Sequence, residues 1–241
     1  MTSLYKQFVT LLLLTLLGAK EELRYTVNFW KIACVDVAMI REKTEENNMK
    51  LEFSAKTQNV FDYFFSVDNR YITWYDKESF TISKYAVSTD QPNTDYNYEL
   101  IWDEKTKMYT TSGISYDRPE KSHNIFSLLM RARNFPWQEL DTIWWPVEHD
   151  GKPYKGRYLW VDSLDISLGA QKILADHFRL DLQEIDGGTH KLNEVSDIFS
   201  WGIILDDCIR QVWVERHNTR RILQAEVMVK GLKLKAKLKD E

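Results

Sequence analysis

The stretch Leu232–Lys239 (LKLKAKLK) alternates between apolar side chains and lysines at every position. Successive side chains of a β-strand point to opposite faces, so this pattern predicts a strand with one apolar face and one lysine face. A row of lysines on the outer face keeps such a strand soluble and opposes edge-to-edge pairing. The same lysines could instead contact anionic lipid headgroups, and the pattern alone leaves both interpretations open.

The same period of two recurs through most of the chain and is interrupted by short polar turns. Asp150-Gly151 lies between two of these segments and is typical of a tight hairpin turn. Pro146 cannot donate to a strand ladder, so its segment is expected to be an edge strand or to carry a bulge. The remaining predicted strand segments are 23–29, 49–55, 71–75, 80–86, 96–102, 107–111, 155–161, 173–185, 208–215 and 223–238.

Two segments show helical spacing. Asn59–Phe65 (NVFDYFF) places four apolar side chains on one face of a short helix. Asn124 is a favourable N-cap for a second helix, in which Ile125, Leu128, Leu129 and Ala132 share a face, and Phe135-Pro136 ends it. The chain is therefore predicted to be mainly β. We expect one large antiparallel sheet system, as a curved, half-open barrel or a sandwich, with two short helices.

Residues 1–19 have the features of a secretory signal peptide. A short start with one cation, Lys6, precedes the apolar run Phe8–Leu17, and Gly18-Ala19 follows it. The apolar run is shorter than the roughly 20 residues of a membrane span. We therefore expect export to the periplasm, free or in association with the outer membrane, and residues 20–241 as a single mainly-β domain.

Charge and cysteine usage limit the function classes. Without residues 1–19 the chain has 31 Lys and Arg against 36 Asp and Glu, a formal charge of −5, which gives no support for nucleic-acid binding. Contact with a membrane is expected to be peripheral at most. Cys34 and Cys208 could form a disulfide in an oxidising compartment, and the alternative is two buried free thiols on different strands.

No motif of a familiar active site is present. The five histidines include no helical pair of the zinc-protease type, and neither a nucleophile elbow nor a phosphate-binding glycine loop occurs. Asp206-Asp207 are adjacent, and adjacent strand residues point to opposite faces, so the pair is expected to lie in a turn or on the surface. The sequence therefore predicts no catalytic residue, no metal ligand set and no cofactor, and it favours a protein that is not an enzyme.

The aromatic residues are the best candidates for a binding site. If a curved sheet surrounds a helix, large aromatics could line an apolar cavity, although they fill ordinary cores equally well. The candidate ligand-binding residues are Phe64, Phe65, Trp144, Trp145 and Trp160.

The order of these segments resembles a bacterial exported family known as "domain of unknown function 3108". The resemblance spans about residues 23–238 and implies a secreted, mainly β protein of the cell envelope without an established activity, so it assigns no catalytic residue. It is carried by Leu23–Val27 leading into Trp30-Lys31-Ile32, by Asn124–Arg131 (NIFSLLMR), by the hairpin at Asp150-Gly151, and by Val212-Trp213-Val214 followed by Arg220-Arg221 and Gly231.

Three functional hypotheses follow from these observations. The first is a non-enzymatic envelope factor or a binder of an apolar, lipid-like ligand. The second is a hydrolase of envelope glycan or lipid that uses carboxylates from separate strands. The third is an interaction module that pairs with an envelope protein through a sheet edge. The sequence does not specify the oligomeric state.

Overall fold

The computed structural model describes residues 20–44, 48–58, 60–92, 94–185 and 197–240. The predicted signal peptide lies outside these residues and stays a prediction. The strands are β1 (Glu21–Phe29), β2 (Ile32–Lys43), β3 (Asn48–Thr57), β4 (Asp68–Asp76), β5 (Ile82–Gln91), β6 (Thr94–Asp103), β7 (Met108–Thr111), β8 (Ile114–Tyr116), β9 (Trp144–His149), β10 (Lys152–Leu168), β11 (Gln171–Glu184), β12 (Ile209–Glu215), β13 (Ile222–Val229) and β14 (Leu232–Leu238).

All fourteen strands belong to one antiparallel sheet. Its order is β8-β7-β6-β5-β4-β3-β2-β1-β14-β13-β12-β11-β10-β9, so strands that follow one another in sequence are paired except β8 and β9, and the first strand also pairs with the last. The sheet is not closed, because β8 and β9 are its two edges. The prediction of one large antiparallel sheet is confirmed, and the single sheet corresponds to the half-open barrel rather than to the sandwich.

The pairing of β1 with β14 follows from matching apolar faces. Tyr25 lies opposite Leu238 and Val27 opposite Ala236, and antiparallel partners point to the same face of a sheet. Tyr25 and Val27 are buried in the main core, so the apolar side of β14 faces the interior. The lysines of β14 consequently lie on the outer face, as the alternation predicts.

Three α-helices and a short 3₁₀ helix lie within the described residues. They are α1 (Val60–Phe64), α2 (Ile125–Asn134), α3 (Ile198–Ile204) and the 3₁₀ helix Trp137–Glu139. The first two confirm the sequence prediction. The third was missed, because a short apolar run between turn residues does not distinguish a helix from a strand.

Helix α2 fills the interior of the half-barrel. The Asn124 side chain accepts a bond of 2.8 Å from the Ser127 amide, and the Ser127 hydroxyl accepts one of 3.1 Å from the Asn124 amide. This reciprocal cap fixes where the helix begins. Leu128, Met130 and Ala132 are completely buried, and the helix contacts β3 and β4 on one side and β12 on the other.

Candidate functional site

Neighbouring turns at one end of the half-barrel carry exposed apolar side chains. The β1–β2 turn, the β3–β4 connection with α1, and the β13–β14 turn are adjacent, because β3, β2, β1, β14 and β13 are consecutive in the sheet. We call this region the apolar end. Its members are 57–86% exposed and are Trp30, Ile32, Val60, Tyr63, Phe64 and Leu232.

The apolar lining of the interior reaches solvent at the same end. Leu234 lies opposite Phe29 on β1, so it points to the inner face, yet it is 38% exposed. Leu232 lies opposite Val229 and shares that face. Apolar side chains that point inward and remain exposed form the mouth of the half-barrel between β1 and β13.

Helix α3 lies beside this mouth. Phe199, Ile203 and Ile204 pack against the main core, and the helix contacts β13. Arg210 of β12 is buried and binds the chain at the end of α3, through the carbonyl oxygens of Ile203, Leu205 (2.7 Å) and Cys208 (3.0 Å). The bonds to Ile203 and Leu205 satisfy carbonyls that the end of a helix leaves without an internal partner.

Asp197 ties the start of α3 to the other side of the mouth. Its completely buried carboxylate accepts bonds from the Tyr71 hydroxyl at 2.7 Å, the Tyr96 hydroxyl at 3.2 Å and the Phe199 amide at 2.9 Å. Burial raises the pKa of both tyrosines, which keeps them neutral donors. With Arg210 on β12 and two tyrosines on β4 and β6, α3 is held between opposite parts of the sheet.

A buried charged cluster joins the two sheet edges. Glu148 on β9 accepts from Arg118 Nε at 2.9 Å, from the Gly151 amide at 2.6 Å and from the Tyr116 hydroxyl at 3.4 Å. Both side chains of the Arg118–Glu148 pair are at most 5% exposed. We call this arrangement the seam. It replaces the missing ladder between β8 and β9 with side-chain contacts.

The charged groups of the seam are bonded to one another and hold the two sheet edges together. Burial raises the pKa of Glu148 to about 7, although Arg118 opposes the shift. Asp150 accepts from the Tyr98 hydroxyl at 2.8 Å and lies 3.7 Å from the ring of His149. A carboxyl with a raised pKa suits acid–base chemistry, but both oxygens of Glu148 are bound to protein donors and the residue is 2% exposed. Its contacts hold the two edges together.

The five predicted ligand-binding residues do not form one cluster. Trp145 belongs to the core beneath Arg131, at 4.9 Å, and Trp160 stacks on Trp137 at 4.6 Å. Trp144 carries the guanidinium of Arg157 over its ring at 4.5 Å. Phe64 and Phe65 lie at the apolar end, on or directly after α1.

The two cysteines are free and buried. Cys34 lies on β2 and Cys208 directly precedes β12, so β1, β14 and β13 separate them in the sheet. The thiol of Cys34 donates to the Val27 carbonyl at 3.3 Å. The structure therefore corresponds to the alternative of two separate thiols rather than to a disulfide.

Three further observations on the described residues concern metal ligands, membrane spans and surface grooves. Among the described residues, no three histidine, cysteine or carboxylate side chains are grouped so that they could hold a metal ion. No helix in the same part of the chain is long and apolar enough to cross a membrane. An open groove of about 580 Å³ crosses the outer face of β4–β7, where Arg70 is already paired with Glu52 at 2.7 Å.

Sequence reasoning missed the residues that close the half-barrel. Asp197 bonds to Tyr71, which is 126 residues away, and Arg118 bonds to Glu148, which is 30 residues away. No local pattern indicates either contact. The one usable signal was the acidic residue directly before the apolar run 198–204, because aspartate favours helix starts.

Comparisons with known proteins support the fold and nothing finer. No family model matches the chain, and no curated protein matches it. A solved structure described as a beta-barrel-like protein of domain of unknown function DUF1849 from Brucella abortus is similar, with a TM-score of 0.55 and 7% sequence identity. The match covers 92% of this chain and 96% of that chain. At this identity the likeness shows a shared β-barrel-like fold, and membership in the domain of unknown function 3108 family stays a prediction.

Proposed function

We propose that this protein is an exported, non-enzymatic β-barrel-like protein of the cell envelope that binds an apolar, lipid-like ligand at the mouth of the half-barrel. The observation that carries the proposal is the exposure of inward-pointing apolar side chains, Leu232 and Leu234, next to α3. An apolar ligand would cover this surface and remove it from water, which is the main source of affinity at apolar sites.

The attachment of α3 supports the same proposal. The helix rests on the core through apolar contacts, while polar bonds fix it near both of its ends. The helix would therefore form a fixed wall beside the mouth, against which an acyl chain could lie. Of the sequence candidates, Phe64 and Phe65 lie at the same end of the half-barrel as the mouth. Trp144, Trp145 and Trp160 have separate partners, which are Arg157, Arg131 and Trp137.

The alternatives receive less support from the described residues. The hydrolase needs two carboxyls that face one accessible cleft, whereas Glu148 is buried against Arg118. The edge-pairing module needs a free strand edge. Strand β8 has three residues, and β9 already bonds to His123 through Pro146 and Glu148.

The test of ligand binding is native mass spectrometry of residues 20–241 purified from a bacterial periplasm without detergent. The expected result is a co-purifying lipid-sized mass that is lost on denaturation, together with binding of the fluorescent fatty acid cis-parinaric acid. A bare protein mass and no binding of the fatty acid would overturn the proposal.

A matched pair of variants locates the site. Leu234 at the mouth and Leu164 on β10 are almost equally exposed, at 38% and 37%. Leu234→Ser is expected to weaken fatty-acid binding about tenfold, since a buried leucine contributes roughly 1.5–3 kcal/mol. Leu164→Ser should bind like the parent protein. Equal loss in both variants would place the ligand elsewhere.

Export is a separate part of the proposal. Expression of the full chain in a Gram-negative host, followed by osmotic shock, should release a protein whose N-terminal residue is Lys20. A protein that retains residues 1–19 and stays with the cytoplasmic fraction would contradict the signal-peptide prediction. It would leave the ligand proposal to be judged by its own test.

A further inference from the structure

We propose that the apolar end docks this protein onto the surface of a phospholipid membrane. Docking does not need a ligand inside the half-barrel, so this inference is separate from the proposed function. The argument rests on the shape, the chemistry and the backbone of the three neighbouring turns.

Most of the exposed apolar residues lie on the β1–β2 turn or on α1, whereas Ile32 and Leu232 are the first residues of β2 and β14. Trp30 and Lys31 alone connect β1 to β2, and α1 projects from the end of β3 with Tyr63 and Phe64 exposed. Large exposed apolar patches on a folded protein indicate an interaction site. A rigid protein partner would need pockets for each protrusion, whereas a lipid interface deforms around them.

The residue types match a membrane interface. Trp30 and Tyr63 are the most exposed large apolar residues of the described chain, at 80% and 86%. Tryptophan and tyrosine are enriched where membrane meets water, because their rings are apolar and their N–H or O–H group is polar. The same turns also expose the aliphatic side chains of Ile32 and Leu232, which would enter the apolar layer below the headgroups.

The charges of the three turns favour an anionic surface. Lys31 and Lys230 are exposed, and within the described residues neither is paired with a carboxylate. Cations near an anionic membrane are attracted to it, so both lysines would add to docking.

The carboxylates of the same region are already engaged. Asp68 is paired with Lys56, and Glu226 with Lys233, each at 2.6 Å. Asp62 accepts from the hydroxyls of Thr57 and Ser66 at 2.8 Å and 3.1 Å. The lysine partners offset the charges of Asp68 and Glu226, whereas Asp62, whose partners are neutral hydroxyls, keeps its negative charge and offsets one of the two lysines Lys31 and Lys230.

The backbone conformation of Trp30 indicates that this residue does not serve to stabilise the fold. Trp30 has a φ of 59°, in the left-handed region where glycine is comfortable and a bulky side chain is disfavoured. Trp30 is also 80% exposed, so its side chain gains little from packing. A strained turn that carries an exposed tryptophan is consistent with a partner that covers this side chain.

The test is flotation of residues 20–241 with vesicles of phosphatidylcholine alone and with phosphatidylglycerol added. We expect binding to both compositions and tighter binding to the anionic one. Trp30→Ser combined with Tyr63→Ser should lower the partition coefficient at least tenfold. Lys31→Gln should lower it about fivefold on anionic vesicles only.

Two exposed isoleucines at opposite ends of the half-barrel provide a matched pair of variants. Ile32 belongs to the apolar end, whereas Ile143 is exposed directly before β9 at the other end of the half-barrel. Ile32→Ser is expected to weaken flotation and Ile143→Ser to leave it unchanged. Brominated lipids should quench tryptophan fluorescence in the parent protein and much less in Trp30→Phe, which keeps an apolar ring at the tip. Circular dichroism confirms that each variant is folded.

Several outcomes would overturn the inference. They are the absence of flotation by the parent protein, undiminished flotation of the Trp30→Ser and Tyr63→Ser variant, and equal losses from Ile32→Ser and Ile143→Ser. A dimer in sedimentation that Trp30→Ser dissociates would assign the apolar end to a second copy of the chain. Loss of flotation with fatty-acid binding retained would support docking independently of the ligand site.

Discussion

The amide of Glu148 donates a hydrogen bond of 2.7 Å to the carbonyl of His123. The amide of His123 in turn donates to Pro146 at 2.8 Å, so one residue of the connection after β8 is bonded along the other sheet edge. The neighbouring carbonyl of Ser122 accepts from the Ile82 amide at 2.9 Å. This short segment therefore links β5 to β9 across the opening of the sheet.

The pKa values of Glu148 and His123 are shifted in opposite directions, so the two residues should affect the pH dependence of stability in opposite ways. Burial raises the pKa of Glu148 from 4.5 to about 7, so the folded state keeps a proton that the unfolded state releases. This contribution to stability is present below pH 4.5 and is lost as the pH rises through 7. Burial lowers the pKa of His123 from 6.5 to about 4, and its contribution is present above pH 6.5 and lost as the pH falls through 4.

Between about pH 4.5 and 6.5 the two contributions oppose each other, so stability should change little with pH in the parent protein. In the Glu148→Gln variant the free energy of unfolding should rise with pH, and in the His123→Asn variant it should fall with pH. Each slope is at most about 1.4 kcal/mol per pH unit. Urea unfolding across this range measures both slopes. Parallel slopes in the two variants would contradict the assignment.

Breaking the buried pair of the seam should be costly. At pH 8, where Glu148 is mostly ionised in the parent protein, Arg118→Met removes the cation that stabilises this buried carboxylate, and we expect a loss of about 3–5 kcal/mol in the free energy of unfolding. Arg118→Met combined with Glu148→Met should be less destabilised than the single variant, because no unpaired charge remains. The exposed pair Lys56–Asp68 is the control, and Lys56→Met should have little effect.

The carboxylate of Asp197 should control the local stability of α3. Asp197→Ala removes an acceptor for two tyrosine hydroxyls and an amide, which is expected to cost about 1–3 kcal/mol. Hydrogen exchange should accelerate in 198–204 while β1 and β2 keep their protection. Unchanged exchange in α3 would show that Arg210 and the apolar contacts suffice.

Replacing each of two glycines with alanine should change the stability of the protein in opposite directions. A Cβ at Gly156 would meet side-chain atoms of Leu128 and Leu182 at 3.1 Å, so Gly156→Ala overpacks α2 against β10 and should cost about 1 kcal/mol or more. A Cβ at Gly202 would meet nothing within 4 Å, so Gly202→Ala in α3 should stabilise by about 0.5–1 kcal/mol. Thermal unfolding of both variants measures the difference, and destabilisation by Gly202→Ala would contradict the packing of α3.

The thiols of Cys34 and Cys208 should react slowly in the folded protein. Burial raises the pKa of both, which lowers the fraction of reactive thiolate. Alkylation is expected to modify neither in native buffer and both in denaturant, without prior reduction. An intact mass about 2 Da below the reduced value would show a disulfide instead, since its formation removes two hydrogens.

Local pattern decided much of this fold. The alternation in 232–239 fixed a strand and its buried face, Asp150-Gly151 fixed a hairpin, and Asn124 fixed the start of α2. Each signal depends on neighbours within a few residues, so the sequence alone carries it. Pro146 likewise indicated that β9 is an edge strand or carries a bulge, because proline cannot donate to a ladder, and β9 is an edge of the sheet.

The candidate site could be predicted only in part, and the reason is distance along the chain. The sequence indicated that Phe64 lies on the apolar face of a short helix. It did not indicate that Trp30 and Leu232 lie at neighbouring turns. That neighbourhood depends on the pairing of β1 with β14, which joins the two ends of the chain. The bonds of Asp197 to Tyr71 and of Arg118 to Glu148 arise in the same way.

The sequence by itself determined strands, turns, one capped helix and their apolar faces, because these follow from local periodicity. Tertiary structure decided which faces meet, which charges are buried together and which apolar residues remain exposed, because these depend on contacts between residues far apart in sequence.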